Sequence, residues 1–205
     1  CRKNTKYLLK KAHPLMEIYR EEKHAALFDF LEKDSHEEGL RRRILAAPPL
    51  FVIPQEVLKR ILAENGIGRQ ECAGILKAHA REQKRIESIL THSPVMDELS
   101  QVTREEYEKY PAVLPVAECF LEKDILLTYQ EYKTCIEAAM AYADAHKNYQ
   151  FSLTKAKGFH NIQITCRQEK WCMVSKNKAP SIHFVIHHPK LRYALENMIL
   201  PIRDS

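Results

Sequence analysis

The sequence predicts an α+β fold: a helical N-terminal half followed by a small, mainly antiparallel sheet with packing helices. Three observations predict it. Through the first three quarters of the chain, apolar side chains return every three or four positions, the period of amphipathic helices. Then three short β-type runs arrive in succession, Asn161–Cys166, Trp171–Ser175 and Ser181–His187, separated by Gln168-Glu169-Lys170 and Asn177-Lys178-Ala179-Pro180, both of hairpin length. A helical pattern, Pro189–Ile199, closes the chain and can lie on that sheet.

Taken in order, residues 4–32 read as helix. Tyr7, Leu8, Leu15, Ile18, Tyr19, Leu27, Phe28 and Leu31 recur at helical steps, and Pro14 either ends a first helix near His13 or kinks a longer one. Asp34-Ser35 can cap a short helix, Glu37–Leu45, carrying Arg41-Arg42-Arg43. The prolines of segment 46–54 force it to be extended, and its apolar residues make it a connector packed on the body. Pro54 opens a helix that Asn65-Gly66 stops after Glu64. A long amphipathic helix follows over about Arg69–Leu90, its stripe of Ile75, Leu76, His79, Ile86, Ile89 and Leu90 suited to a helical layer or a dimer seam. The two helices around Gly66 read as a plain αα-hairpin, because Leu62 is bulky where close crossing wants a small residue and the second helix is long for DNA recognition.

Beyond Pro94, the prolines make Tyr107–Pro115 irregular, and Val116–Phe120 and Ile125–Leu127 are candidate short strands. Thr128 and Glu131 form a capping box for a helix to about His146, and Tyr149–Leu153 alternates as a strand. The expected division is a helical region, 1–92, and an α+β region, 93–205.

A 45% hydrophobic and 29% charged chain of 205 residues can bury a core and is not of disordered composition. Five glycines, with no GxGxxG or GxxxxGK[ST], argue against nucleotide loops. The absence of a bilayer-length apolar run or a secretory signal gives the expectation of no membrane partner and a cytoplasmic location. The six cysteines lie apart in apolar patterns and are expected as free buried thiols. The start at Cys1 rather than Met gives the expectation of a further segment upstream. The net charge of +5 is concentrated early, so Arg2, Lys3, Lys6 and Lys10 are candidates for contact with a nucleic-acid backbone; Arg41-Arg42-Arg43 is a second cluster, for which a solvated face is the commoner use.

The polar face of the terminal sheet is the candidate ligand site. Asn161, Gln163, Trp171, Ser175, Lys176 and His183, with Thr165 and His187 beside them, combine aromatic and hydrogen-bonding groups suited to a small polar or anionic ligand. Cys166, Cys172, His183 and His187 match no common zinc spacing, and alternation sends the histidines away from the apolar face; no metal and no cofactor are expected. A Cys172–His183 nucleophile pair lacks any sequence context for an oxyanion site, so no catalytic residue is assigned.

Several strings carry a resemblance: Asn161-Ile162-Gln163-Ile164, Trp171-Cys172-Met173-Val174-Ser175-Lys176, Ala179-Pro180-Ser181-Ile182-His183-Phe184-Val185-Ile186 and His188-Pro189-Lys190-Leu191. With Arg41-Arg42-Arg43-Ile44-Leu45 and Pro48-Pro49-Leu50-Phe51, they resemble the C-terminal region of helix-turn-helix transcriptional regulators from Gram-positive anaerobic bacteria, over residues 40–200. The resemblance implies a DNA-binding head upstream of Cys1, DNA as a partner through that head, a homodimer, and a role in sensing, dimerisation or both; it carries no functional residues with it. Two other readings stand beside it: a nucleic-acid-binding module using the basic N-terminal stretch and the Trp171 face, and a Cys- or metal-dependent enzyme.

Overall fold

The computed structural model of the chain describes residues 15–19, 24–116, 124–156 and 159–203. Its strands are β1 (Met16–Tyr19), β2 (Arg41–Leu45), β3 (Val95–Ser100), β4 (Tyr149–Thr154), β5 (Ile162–Arg167), β6 (Trp171–Lys176) and β7 (Ile182–Ile186). Its helices are α1 (His24–Ser35), α2 (Gln55–Glu64), α3 (Arg69–Leu90), α4 (Arg104–Lys109), α5 (Tyr129–Ala145) and α6 (Pro189–Arg203), with a 3-10 turn at Leu50–Val52. The strands form one sheet in the order β1-β7-β6-β5-β2-β3-β4. β2, β3 and β4 run parallel, and every other pairing is antiparallel. The fold is α+β.

Side chains of directly opposed strand residues share a face. Arg41, Arg43 and Leu45 of β2 therefore align with Val95, Asp97 and Leu99 of β3 and with Arg167 and Thr165 of β5, and the same face continues through Trp171, Met173 and Ser175 to Val185 and His183. Helices α1 to α5 cover this face. Leu45 and Leu99 join Leu58, Ile61, Leu62, Ile75 and Tyr132 in the largest core, and Trp171, Met173 and Val185 pack on Leu27 and Leu31 of α1. The opposite face offers Ile44, Ile164, Cys166 and Cys172 to Ile199 and Leu195 of α6. Parallel strands need crossovers, and α2–α3 and α4–α5 supply them between β2, β3 and β4.

Several elements follow from local chemistry as expected. Asn65 and Gly66, the latter at φ 65°, end α2, and the Thr128 hydroxyl accepts from the Glu131 amide at 3.2 Å while the Glu131 carboxylate accepts from the Thr128 amide at 2.7 Å. The terminal hairpins and closing helix form, α6 running on through Pro201 to Arg203. The α3 stripe takes the helical-layer alternative: Ile75, Ala78, His79, Ile86 and Ile89 are buried within the chain's own core.

Elsewhere tertiary context overrides local pattern. The expected helix Glu37–Leu45 is a central strand at Arg41–Leu45, because Arg41 and Arg43 find carboxylates on one face and Ile44 finds the α6 core on the other. Met16–Tyr19, expected as helix, is an edge strand paired with β7. Val95–Ser100 is a strand despite Asp97-Glu98, and Arg104–Lys109 is a capped helix inside the stretch expected to be irregular from Tyr107. Of the candidate strands near 120, Leu126 makes one bridge to Val113, while residues 117–120 lie outside the described residues. The expected boundary at 92/93 falls between β2 and β3, which are neighbours in the same sheet.

The cysteine expectation is corrected at one pair. Cys166 and Cys172 are directly opposed across the β5–β6 hairpin, with Cα atoms 4.1 Å apart, and are joined by a disulfide. The three-residue turn, with Glu169 at φ 60°, sets the register that brings them together. Cys72 and Cys135 are free thiols. Among the described residues no helix is long and apolar enough to cross a membrane.

Candidate ligand-binding site

A cavity of about 120 Å³ lies between the helical layer and the sheet. Its floor is the shared face of β2, β5, β6 and β7, contributing Arg41, Arg43, Gln163, Thr165, Trp171, Met173, Ser175 and His183. Its roof is mostly apolar, with Leu27 and Leu31 of α1, Ile86 and Ile89 of α3, and Leu50 and Phe51 of the 3-10 turn, and it carries one charged pair, Glu82 and Arg85 of α3. A polar floor under a mostly apolar roof suits an amphipathic small molecule better than a purely polar one.

Three ion-pair groups border this space. Arg43 donates to both Asp97 carboxylate oxygens at 2.5 Å, lies over the Phe51 ring, and shares Asp97 with the Tyr149 hydroxyl, which donates at 2.9 Å. Burial alone would lower the Arg43 pKa, but the Asp97 charge and hydrogen bond outweigh it and hold the guanidinium above its ordinary value; burial beside Asp97 raises Tyr149. Arg85 forks onto Glu82 at 3.0 and 2.8 Å. Burial would raise Glu82, yet Arg85 and the nearby Arg43 and Arg81 hold it below the carboxylate range.

Asp34, at the end of α1, accepts from three donors: Arg41 Nη2 at 2.9 Å, Trp171 Nε1 at 2.9 Å, and Arg167 Nη1. The loop that follows α1 is held over this hub, with Arg41 also donating to the carbonyls of Asp34, Glu37 and Gly39 and Arg167 donating to that of Glu38. Gly39, at φ 137°, fits where a Cβ would meet Arg167 Nε at 3.3 Å. These contacts turn the helix end into a lid edge fixed on β2, β5 and β6.

His183 is buried, its Nδ1 2.9 Å from the Ser175 hydroxyl, and burial pushes its imidazole pKa down to about 4. The ring is therefore neutral near pH 7. The unfolded chain protonates near 6.5 and the folded chain only near 4, so stability present above 6.5 is lost as pH falls through that window. The loss attributable to His183 is expected to reach roughly 3 kcal/mol by the lower end of the window. Urea unfolding of the wild type and His183→Gln across this range checks it; parallel pH profiles for the two proteins would refute it.

The structure brings together four of the six ligand candidates from the sequence: Gln163, Trp171, Ser175 and His183 all line the cavity. Asn161 is exposed at the start of β5, and Lys176 turns to the opposite face, its ammonium donating to the Pro180 carbonyl at 3.1 Å. Neither is among the cavity-lining residues. Arg2, Lys3, Lys6 and Lys10 lie outside the described residues. Trp171, 4% exposed and bonded to Asp34, is not on a face where a nucleic-acid base could stack, which removes that part of the nucleic-acid-module reading. Cys172 and His183 point to opposite faces of the sheet, and Cys172 is in the disulfide, so the nucleophile pair is not formed. The same separation splits the Cys–His metal set, and no group of three metal-binding side chains occurs among the described residues.

Sequence reasoning missed Asp34, Asp97, Glu82 and Arg85 and read the Arg41–Arg43 cluster as a solvated face. Arg41 and Arg43 are buried. The available signal was the alternation in Arg41-Arg42-Arg43-Ile44-Leu45, which as a strand puts Arg41 and Arg43 on one face and calls for buried carboxylates elsewhere.

No family model and no curated protein matches this sequence. Among solved structures, NucT from Helicobacter pylori is similar at a TM-score of 0.48 and 8% identity, over 93% of this chain and 96% of that one. TrmBL2, an archaeal chromatin protein whose structure shows a novel mode of DNA binding, is similar at a TM-score of 0.44 and 8% identity, over 99% of this chain and 60% of that one.

Proposed function

We propose that this chain is the ligand-sensing region of a bacterial transcriptional regulator, acting as a homodimer whose DNA-reading helix-turn-helix is carried upstream. The observation that carries the sensing role is the cavity, in which side chains of five strands and two helices meet around a space for a small ligand. Ligand there would bridge α1 and α3 to the sheet, and a ligand that prefers one arrangement of those helices shifts the population toward it. The phrase-level resemblance over residues 40–200 supports the regulator context.

The test uses the full-length regulator. Ser175→Phe, which fills the cavity, is expected to leave promoter binding intact and to abolish its change on adding an extract of small metabolites. Light scattering is expected to give a dimeric mass. A monomer that shifts no promoter DNA would sink the regulator reading, and an unaltered metabolite response in the filled variant would sink the cavity's part in it.

A further inference from the structure

The charges around the cavity do not balance. Arg43 with Asp97 and Arg85 with Glu82 are two-point pairs, each closed on itself. Asp34 is different, because one carboxylate serves two guanidinium groups, those of Arg41 and Arg167. The further carboxylate paired with Arg167, Glu37 at 3.5 Å, has a side chain 64% exposed, so water screens it. One positive charge is thus left over in a desolvated place.

A second observation puts that excess at the cavity wall. The Arg41 side chain is 3% exposed, and its Nε, like that of Arg167, is a buried donor with no hydrogen-bond partner among the described residues; of these two guanidinium groups it is Arg41 that lines the cavity. A buried unpaired donor on a charged group is costly, and a cavity beside it gives room for the missing acceptor. Burial holds the Arg41 guanidinium below its ordinary value; Asp34 only partly offsets this, and repulsion from Arg167 and Arg85 adds to it.

The rest of the cavity sets the remainder of the ligand. Leu27, Leu31, Ile86, Ile89 and Met173 offer an apolar wall. The volume of about 120 Å³ is near the ~150 Å³ of an apolar cavity that holds benzene. Resting on the reading of this cavity as a ligand site, we infer that its ligand is a small apolar carboxylate of about one ring's bulk, its carboxylate at Arg41 and its hydrocarbon body under α1 and α3. A single negative charge matches the single excess positive one. A phosphate dianion exceeds it and leaves the apolar wall uncovered, and an amine meets repulsion.

Trp171 is the chain's only tryptophan and lines the cavity, so its emission reports occupancy. The experiment titrates the whole chain with benzoate, benzamide and benzylamine, and with cyclohexanecarboxylate and its amide, following Trp171 emission and the unfolding temperature. Both carboxylates are expected to bind at least about tenfold more tightly than their matched amides, and benzylamine not to bind. In Arg41→Met the preference is expected to vanish; should that variant fail to fold, the matched pairs on the wild type decide the question alone. If the amides bind as tightly as the acids, or if inorganic phosphate displaces benzoate with higher affinity, the carboxylate assignment is overturned while the cavity stands as a ligand site. If no compound of either series moves either signal, the cavity reading falls, and this inference with it.

Discussion

Replacing Asp34 with alanine is expected to destabilise the protein by about 3–5 kcal/mol, the cost of stripping a buried ionic group of its partner. The substitution removes the acceptor for Arg41 Nη2, Arg167 Nη1 and Trp171 Nε1 together. Arg41 keeps the carbonyls of Gly39, Asp34 and Glu37, and Arg167 keeps that of Glu38, so dipoles still solvate both groups. What goes is the charge: two buried guanidinium groups then face each other, with exposed Glu37 left paired to Arg167. Asp34→Asn separates the two contributions, since it keeps a side-chain acceptor without the charge. Urea unfolding measures both variants, and a loss below about 1 kcal/mol for the alanine would show that the hub contributes little.

Asp97→Asn is expected to cost about 3–5 kcal/mol as well, for a related reason in a drier place. The amide preserves volume but cannot accept at both positions, so one arm of the Arg43 fork meets an N–H₂ group and the Tyr149 hydroxyl competes for the remaining oxygen. The coupling is readable in a double-mutant cycle. Arg43→Met combined with Asp97→Leu is expected to recover most of the lost stability, because a buried pair exchanged for apolar groups of similar volume is often near neutral. If the double variant is no more stable than Asp97→Asn, the loss lies in packing rather than in the stranded charge.

What was legible in the sequence was what neighbours in sequence decide. The Thr128–Glu131 box, the Asn65-Gly66 stop and the terminal hairpins each depend on residues a few positions apart. Alternation along those hairpins also placed Gln163, Ser175 and His183 on one face, which became half of the cavity. β2 was not legible in this way. Arginine is a good helix former, and the reason for a strand lies with Asp34, with Asp97, which is fifty-four positions beyond Arg43, and with the α6 core. β3 was hidden for the complementary reason, since Asp97-Glu98 reads as solvated until Arg43 stands beside it. The cavity roof depends on how α1 and α3 dock, a matter of packing that no local pattern states.

The strand order has a kinetic consequence. Among the described residues β1 has β7 as its only sheet neighbour, and Tyr19 packs with Trp171, Met173 and Val185, so β1 closes on a segment made much later. Contacts between such distant positions raise contact order and slow the search for the native state. On the ribosome, β2, β3 and their helices can assemble while β1 has no edge to join, and it waits until Ile182–Ile186 has emerged. The α1 roof and the β7 part of the floor belong to that late closure, which makes a formed cavity a mark that synthesis has passed the β6–β7 hairpin.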